Sequence, residues 1–254
     1  QRRINARLMS RAVNGALGAR DVGEKRVVVS TLPITADLVG RIDADAWIYY
    51  CVDDFSVWPG LDGEVIDRME RDLVAKVDAI VAVSDTLVAR MAEMGGQTRL
   101  ITHGIDLGHW RKPAESVEDE ACAEWWPASG PVSLFWGVID PRLDAEWCLR
   151  LAEAVGPLVL VGPAQSPDPR LAEHPNIIMP GPMPYEALPA MARRADVLVM
   201  PYADLPVTRA IQPLKLKEYL ATGRPSVVRE LPSTRHWSRE ADVVTTQEQF
   251  VRVV

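Results

Sequence analysis

Arg209, Lys215 and Glu218 fall within one stretch, PVTRAIQPLKLKEYLATGRPSVV (206–228), whose residue types suit a phosphate joined to a sugar. Pro213 suits the first position of a helix, where its missing N–H would have had no partner. LKLKEYLAT continues the helix, Gly223 suits its C-terminal cap, and Pro225 bars further helix. A helix that starts in a loop at the carboxyl edge of a parallel sheet points free N–H groups and a positive dipole into the ligand crevice. Arg209 and Lys215 add charge at that start, and Glu218 lies one turn in, where it can accept from hydroxyls. The plainer reading of Lys215 and Glu218, three residues apart, is a solvated ion pair.

Other candidates sit at predicted strand ends. Asp53 and Asp54 follow WIYYCV; they could orient a sugar hydroxyl or act as a base, or cap the next turn. Ser84-Asp85 reads as a helix cap and first turn. His103 could be catalytic, but a hydrogen-bonding hinge role is preferred. Gly137 and Arg142 lie in the loop VIDPRLD and its approach, giving close backbone access and a cation. Trp58 and Trp136 could stack on a sugar, with core packing preferred for both. No G-x-G-x-x-G opens a helix after the first strand and no Walker loop occurs, which disfavours a simple dehydrogenase or a P-loop kinase. Cys51, Cys122 and Cys148 are scattered, which argues against a disulfide framework or a zinc site and fits a reducing compartment.

These residues need a frame of alternating strands and helices. Apolar runs at RVVVSTLP, AWIYYCVDDF, AIVAVS and RLITHGI read as strands, with helices at ITADLVGRI, GEVIDRMERDLVAKV and TLVARMAEM. After an acidic, Trp-containing stretch the alternation restarts: PVSLFWG, PLVLVGP, NIIMPG, VLVMPY, SVVRE and DVVTT. Near-continuous apolar strands alternating with helices predict parallel sheets covered on both faces. The expected fold is α/β, with two doubly wound Rossmann-like domains. The boundaries are 1–112 for the first domain, 113–130 for a linker and 131–254 for the second. The first domain reads as incomplete at its amino end, since Gln1 is not a start residue and a helix is already under way.

That helix, Gln1 to Leu17, carries Arg2, Arg3, Arg7 and Arg11 beside an apolar face. A surface helix packed on a sheet is the preferred reading, and a peripheral contact with an anionic membrane the alternative. Net charge is -7 over 254 residues, so a broad nucleic-acid surface is not expected. No signal peptide or membrane-spanning run is evident.

The segments VDAIVAVSDTLVARM…RLITHGID, GVIDPRLD, HPNIIMPGPMPYEALPAMARRADVLVMPY and VTRAIQPLKLKEYLATGRPSVV resemble the glycosyltransferases of the GT-B fold, in the family 4 class. YYCVDDF, GVIDPRLD and TRAIQPLKLKEYLA further resemble the teichuronic-acid-type branch, which serves cell-surface polysaccharide synthesis. The resemblance covers Val27 to Val244. It implies a nucleotide-diphosphate sugar as substrate, bound mainly by the second domain, with no cofactor and no metal. Glu218 would hold the ribose hydroxyls, and Arg142, Arg209 and the amides of Leu214 and Lys215 would face the diphosphate. Pro182 and Met183 would lie against the base, with Asp53 and Asp54 towards the acceptor.

The chain departs from the family pattern in three places. Two turns before Glu218, where the family often has a second glutamate, stands Ala210; Thr208 or Arg209 would take over its contact with the donor sugar. The phosphate-binding lysine found in many relatives after the first strand of this domain has no counterpart, which leaves Arg142 as the nearest cation. A Gly-rich acceptor loop expected before Arg26 is absent.

The expected function is therefore transfer of a sugar from a nucleotide-diphosphate donor to a glycan or lipid-linked acceptor, with retention, in the cytoplasm. The rivals are a catalytically weak nucleotide-binding partner subunit, a sugar-nucleotide epimerase of similar architecture, and a two-lobed solute-binding protein. The sequence leaves the oligomeric state open.

Overall fold

In the computed structural model the chain is described over residues 2–111 and 124–254, and it divides into two compact units. The first comprises residues 1–103 with 210–212; the second comprises 104–209 and 213–254. Most of the expected linker, 113–123, lies outside the described residues. Residues 104–111, which the sequence reading assigned to the first domain, group with the second unit.

The first unit opens with helix α1 (Arg2–Leu17). Four strands follow: β1 (Val27–Ser30), β2 (Ala46–Cys51), β3 (Ala79–Ala82) and β4 (Thr98–Leu100). All pair in parallel, in the order β1-β2-β3-β4. Between β2 and β3 runs α2 (Gly63–Val74), and between β3 and β4 runs α3 (Asp85–Glu93). Asp62 caps α2 by accepting from the Val65 amide (3.1 Å), and Ser84 caps α3 by accepting from the Leu87 amide (3.3 Å). The helix expected over ITADLVGRI shrinks to a 3-10 turn, Pro33–Asp37, because Gly40 takes a left-handed φ of +75° and breaks the run. Tyr49, Cys51, Leu73, Ile80, Ala82, Leu87 and Met91 form the core.

A buried ionic network crosses that core. Glu70 is fully buried, accepts from the Tyr49 hydroxyl (2.5 Å), and pairs with Arg90 (2.8 Å). Arg90 also reaches Asp67 (2.9 Å) and Asp54 (3.4 Å). Burial opposes the charge on Arg90, but the Glu70 hydrogen bond and the nearby carboxylates outweigh it and hold its pKa above the usual value. Burial likewise pushes the Cys51 thiol up to about 12, so it stays protonated at neutral pH.

The second unit begins with a short turn of helix, α4 (Leu107–Trp110). Its strands are β5 (Ser133–Trp136), β6 (Leu158–Val161), β7 (Ile177–Gly181), β8 (Val197–Met200), β9 (Ser226–Arg229) and β10 (Asp242–Val244). The helices are α5 (Ala145–Ala154), α6 (Arg170–Glu173), α7 (Leu188–Arg194), α8 (Pro206–Ala210), α9 (Leu214–Thr222) and α10 (Gln247–Val253). All six strands are parallel, in the order β10-β9-β8-β5-β6-β7. Every residue of β5 and β6 is buried, as a strand covered on both faces requires. Read from β7, this is the doubly wound order 3-2-1-4-5-6, which reverses between β5 and β8. The loop expected between β8 and α9 is partly helical, because α8 occupies 206–210.

Candidate functional site

Chain connections leave β5 and β8 in opposite directions, and open α/β sheets bind their ligands at the carboxyl ends of such a pair. β5 ends at Trp136, and the next residue, Gly137, has φ +134°. A methyl group at Gly137 would lie 2.0 Å from Lys215 Cε and 2.6 Å from Nζ. The lysine therefore reaches back from α9 to lie directly over the end of the unit's first strand. Its ammonium sits 5.7 Å from the ring centres of both Phe135 and Tyr202, within cation–π range. Gly162, at the end of β6, is as tightly placed: a methyl there would fall 1.9 Å from the Gly137 carbonyl oxygen.

Pro213 is the N-cap of α9, one place earlier than the sequence predicts, in an extended conformation and with no side-chain acceptor to offer. The amides of Leu214 and Lys215 have no acceptor among the described residues. Gly223 closes the helix in the left-handed conformation (φ +73°), as expected. Glu218 is buried, so the solvated-pair reading does not hold. Its Oε2 accepts from the Trp136 indole N–H (2.8 Å), while Oε1 receives no hydrogen bond among the described residues. Burial raises the Glu218 pKa; the Trp136 bond and then the electrostatic interactions with Lys215 and His109 oppose that rise. The arrangement offers a cation, two unpaired amides, and a desolvated carboxylate oxygen one helical turn deeper.

An aromatic wall stands beside it, and sequence reasoning missed most of it. Asp106 caps α4 by accepting from the amides of Gly108 (2.8 Å) and His109 (3.2 Å). Trp110 then stacks on Trp136 (5.3 Å between ring centres), and Trp136 meets Tyr219 edge-on (4.4 Å). His109 stacks flat on Tyr185, 4.2 Å away with 7° between the rings. Burial, and then the Glu218 charge, raise the Tyr185 phenol pKa. Trp136 takes the core role that was preferred for it. The signal available for the rest was the aromatic pair in HGIDLGHW, but a four-residue helix shows no periodicity.

The remaining candidates divide by their partners. Arg142 forms a two-pronged contact with Asp140 (2.7–3.0 Å), and both side chains are largely buried. Lys215, rather than Arg142, is thus the cation against the end of β5. Pro182 and Met183 follow β7, and Tyr185 begins the next turn. Thr208 is fully buried: its hydroxyl accepts from the Leu205 amide (2.9 Å) and donates to the Ala203 carbonyl (2.5 Å). Arg209 pairs with Asp204 (2.6 and 2.9 Å).

In the first unit, Asp54 caps the turn at 55–57, accepting from the Ser56 amide (3.0 Å) and hydroxyl (2.5 Å), beside Arg90. Asp53 precedes it, half-buried and with a polar interaction of its own. The His103 ring lies edge-on to Tyr50, whose hydroxyl is 3.3 Å from Nδ1. Trp58 is half-buried against Phe55. Among the described residues no group of three or more His, Cys, Asp or Glu side chains has a metal-holding arrangement, and no helix is long and apolar enough to cross a membrane.

No protein-family model matches the chain. It is 29% identical over 182 residues to the Bacillus subtilis (strain 168) protein named "Putative teichuronic acid biosynthesis glycosyltransferase TuaH". That alignment takes in 67% of this chain and 45% of the relative, so the chain spans less than half of the relative's length. Among solved structures, Anabaena HepE in complex with UDP matches 98% of this chain and 70% of its own, with TM-score 0.71 and 14% identity. HepE with UDP and glucose matches 97% and 69%, with TM-score 0.74 and 15% identity. Sucrose-phosphate synthase from Thermosynechococcus elongatus matches 90% and 62%, with TM-score 0.68 and 18% identity. The fold is that of the GT-B glycosyltransferases.

Proposed function

We propose that the chain is part of a glycosyltransferase and that its second unit binds a nucleoside-diphosphate sugar. The observation that carries the reading is Lys215 lying over Gly137 at the reversal of the sheet, with buried Glu218 one turn deeper on a helix whose first amides are unpaired. A diphosphate supplies the negative charge that Lys215 and the amides of Leu214 and Lys215 lack. A ribose diol supplies the donors that Glu218 Oε1 lacks. Pro182 and Met183 are assigned to the base, and Gly137 to close approach of the phosphates. Arg142 and Arg209 are assigned to the diphosphate as outer cations, held by Asp140 and Asp204. Thr208 is assigned the support of that loop, since its hydroxyl is already committed to backbone.

In the reaction the bond from the sugar's anomeric carbon to the diphosphate oxygen breaks, and its electron pair leaves with the diphosphate. The acceptor's hydroxyl oxygen bonds to that carbon, and its proton passes to the oxygen of the departing diphosphate. Lys215 and the α9 amides stabilise the departing charge, so the reading requires no metal. It includes retention at the anomeric carbon, a glycan or lipid-linked acceptor in surface-polysaccharide synthesis, and a cytoplasmic site at the membrane's inner face. The likeness to the Bacillus protein supports the polysaccharide role, and the UDP held by HepE supports the class of donor. Asp53 and Asp54 are assigned to the acceptor; Asp53 is the better candidate, because Asp54 already caps a turn.

Calorimetric titration with UDP, ADP, GDP, dTDP and CDP, without added metal, tests the reading. Tight binding of one, weakened at least about tenfold by Glu218→Ala, is expected from the loss of a charge-assisted hydrogen bond. A folded sample that binds none of them overturns it.

A further inference from the structure

Helix α1 meets the first unit along a narrow seam. Ala6 and Ser10 are buried, and Val13 and Asn14 are half-buried. Ala6 and Val13 join the cluster of Leu38, Ile42 and Trp47. The Asn14 side chain donates to the Arg41 carbonyl (2.9 Å) and accepts from the Asp43 amide (3.0 Å). Residues 6, 10 and 13 mark one side of the helix by their spacing.

The opposite side is apolar as well. Ile4 and Leu8, one turn apart, are 61% and 60% exposed, and Ala12 continues their row. Met9 is half exposed. Arg7 and Arg11 flank the row, both exposed, and neither side chain has an ion pair or hydrogen bond among the described residues. Arg2 differs, since it turns inward to Asp37 and Asp72. Residues 2–17 contain four arginines and no acidic residue, in a chain of net charge -7.

An acidic protein surface would satisfy the arginines and leave the apolar row in water. An uncharged apolar surface would cover the row and strip water from two guanidinium groups without compensation. A bilayer with anionic headgroups above hydrocarbon answers both. We propose that the outward face of α1, Ile4, Leu8 and Met9 flanked by Arg7 and Arg11, docks on an anionic lipid surface with the helix lying in the headgroup plane. This commits the proposed membrane contact to named residues and one lipid charge, and it does not depend on the donor site.

The test is co-sedimentation of the full chain with phosphatidylcholine vesicles, with and without phosphatidylglycerol, at low and high salt. Binding is expected only with phosphatidylglycerol, and weakened by salt. Arg7→Gln with Arg11→Gln should weaken it by about tenfold or more, from the attraction each cation adds near such a surface. Ile4→Ser with Leu8→Ser should weaken it independently. All four positions are exposed, so melting temperature and nucleotide titration of both double variants should match the parent; a variant that melts early is replaced by Leu8→Gln alone. Absence of phosphatidylglycerol-dependent binding overturns the proposal, as does binding unchanged in both variants. So does a parent dimer that Ile4→Ser with Leu8→Ser converts to monomer while vesicle binding persists, which would make the face a contact between copies. Failure here with intact nucleotide binding leaves the donor reading standing, and the converse holds.

Discussion

Glu218 holds a carboxylate out of water, and its pKa is raised chiefly by that burial. In the proposed donor complex, its ionised form is the one that would accept from the ribose hydroxyls. Nucleotide affinity should therefore fall as pH drops through this raised value, and Glu218→Gln should bind weakly with no such pH step. Calorimetry across pH checks it; equal pH dependence in the two proteins would assign the step elsewhere. Stability moves the opposite way. The folded pKa lies above the unfolded one, so the folded state holds this proton more tightly. The stability it contributes is full below the unfolded carboxylate pKa and is lost as pH rises through the folded value. Urea unfolding should show the parent declining relative to Glu218→Gln over that window. Glu70 is a different buried carboxylate, one tied to Arg90 and Tyr49. Glu70→Ala leaves a largely buried guanidinium without its main partner and should cost about 3–5 kcal/mol in denaturant unfolding. A loss under about 1 kcal/mol, the worth of an exposed pair, would mean that the network is solvated.

At the scale of elements, the ends of β5 and β6 are fixed by two glycines in contact. Gly162→Ala meets the Gly137 carbonyl at 1.9 Å and must also hold φ +144°. Gly223→Ala at the end of α9 meets nothing within 4 Å and pays only for φ +73°. The second should lose about 1–2 kcal/mol, the left-handed cost for a residue with a Cβ. The first should lose clearly more, since the collision adds to a strain that is itself about 1–3 kcal/mol. Urea midpoints of the two variants decide it, and equal losses would mean the strand ends are not in contact. Much at this scale was legible in the sequence. Apolar runs such as PLVLVGP show strands covered on both faces, and Pro213 and Gly223 bracket α9 within a residue. Contacts between segments distant in sequence were not legible. Lys215 lies over Gly137, 78 positions earlier, and only the strand order brings them together. His109 and Trp110 escaped notice because α4 has four residues, too few for a period, and because its partners Tyr185 and Trp136 lie on other elements.

For the molecule as a whole, the two sheets make different offers to a ligand. The four described strands of the first run in sequence order with no reversal, whereas the second reverses between β5 and β8. Ligands of open α/β sheets bind at such reversals. The nucleotide should therefore act on the second unit, and two measurements follow. At a nucleotide concentration near 100 times Kd, the unfolding of that unit should be stabilised by about 2.7 kcal/mol. Hydrogen exchange should slow at 136–143, at 182–185 and at the start of α9, because these segments carry Gly137, the residues assigned to the base, and the unpaired amides. The amides of β1 to β4 should exchange as before. The start of α9 is the most telling segment: among the described residues the amides of Leu214 and Lys215 have no acceptor, and an anion would supply one. Protection there that inorganic phosphate reproduces only in part would divide the site into an anion half at Lys215 and a sugar half at Glu218. Protection that appears in β2 and β3 but not at α9 would place the nucleotide in the first unit and remove the basis for the donor reading.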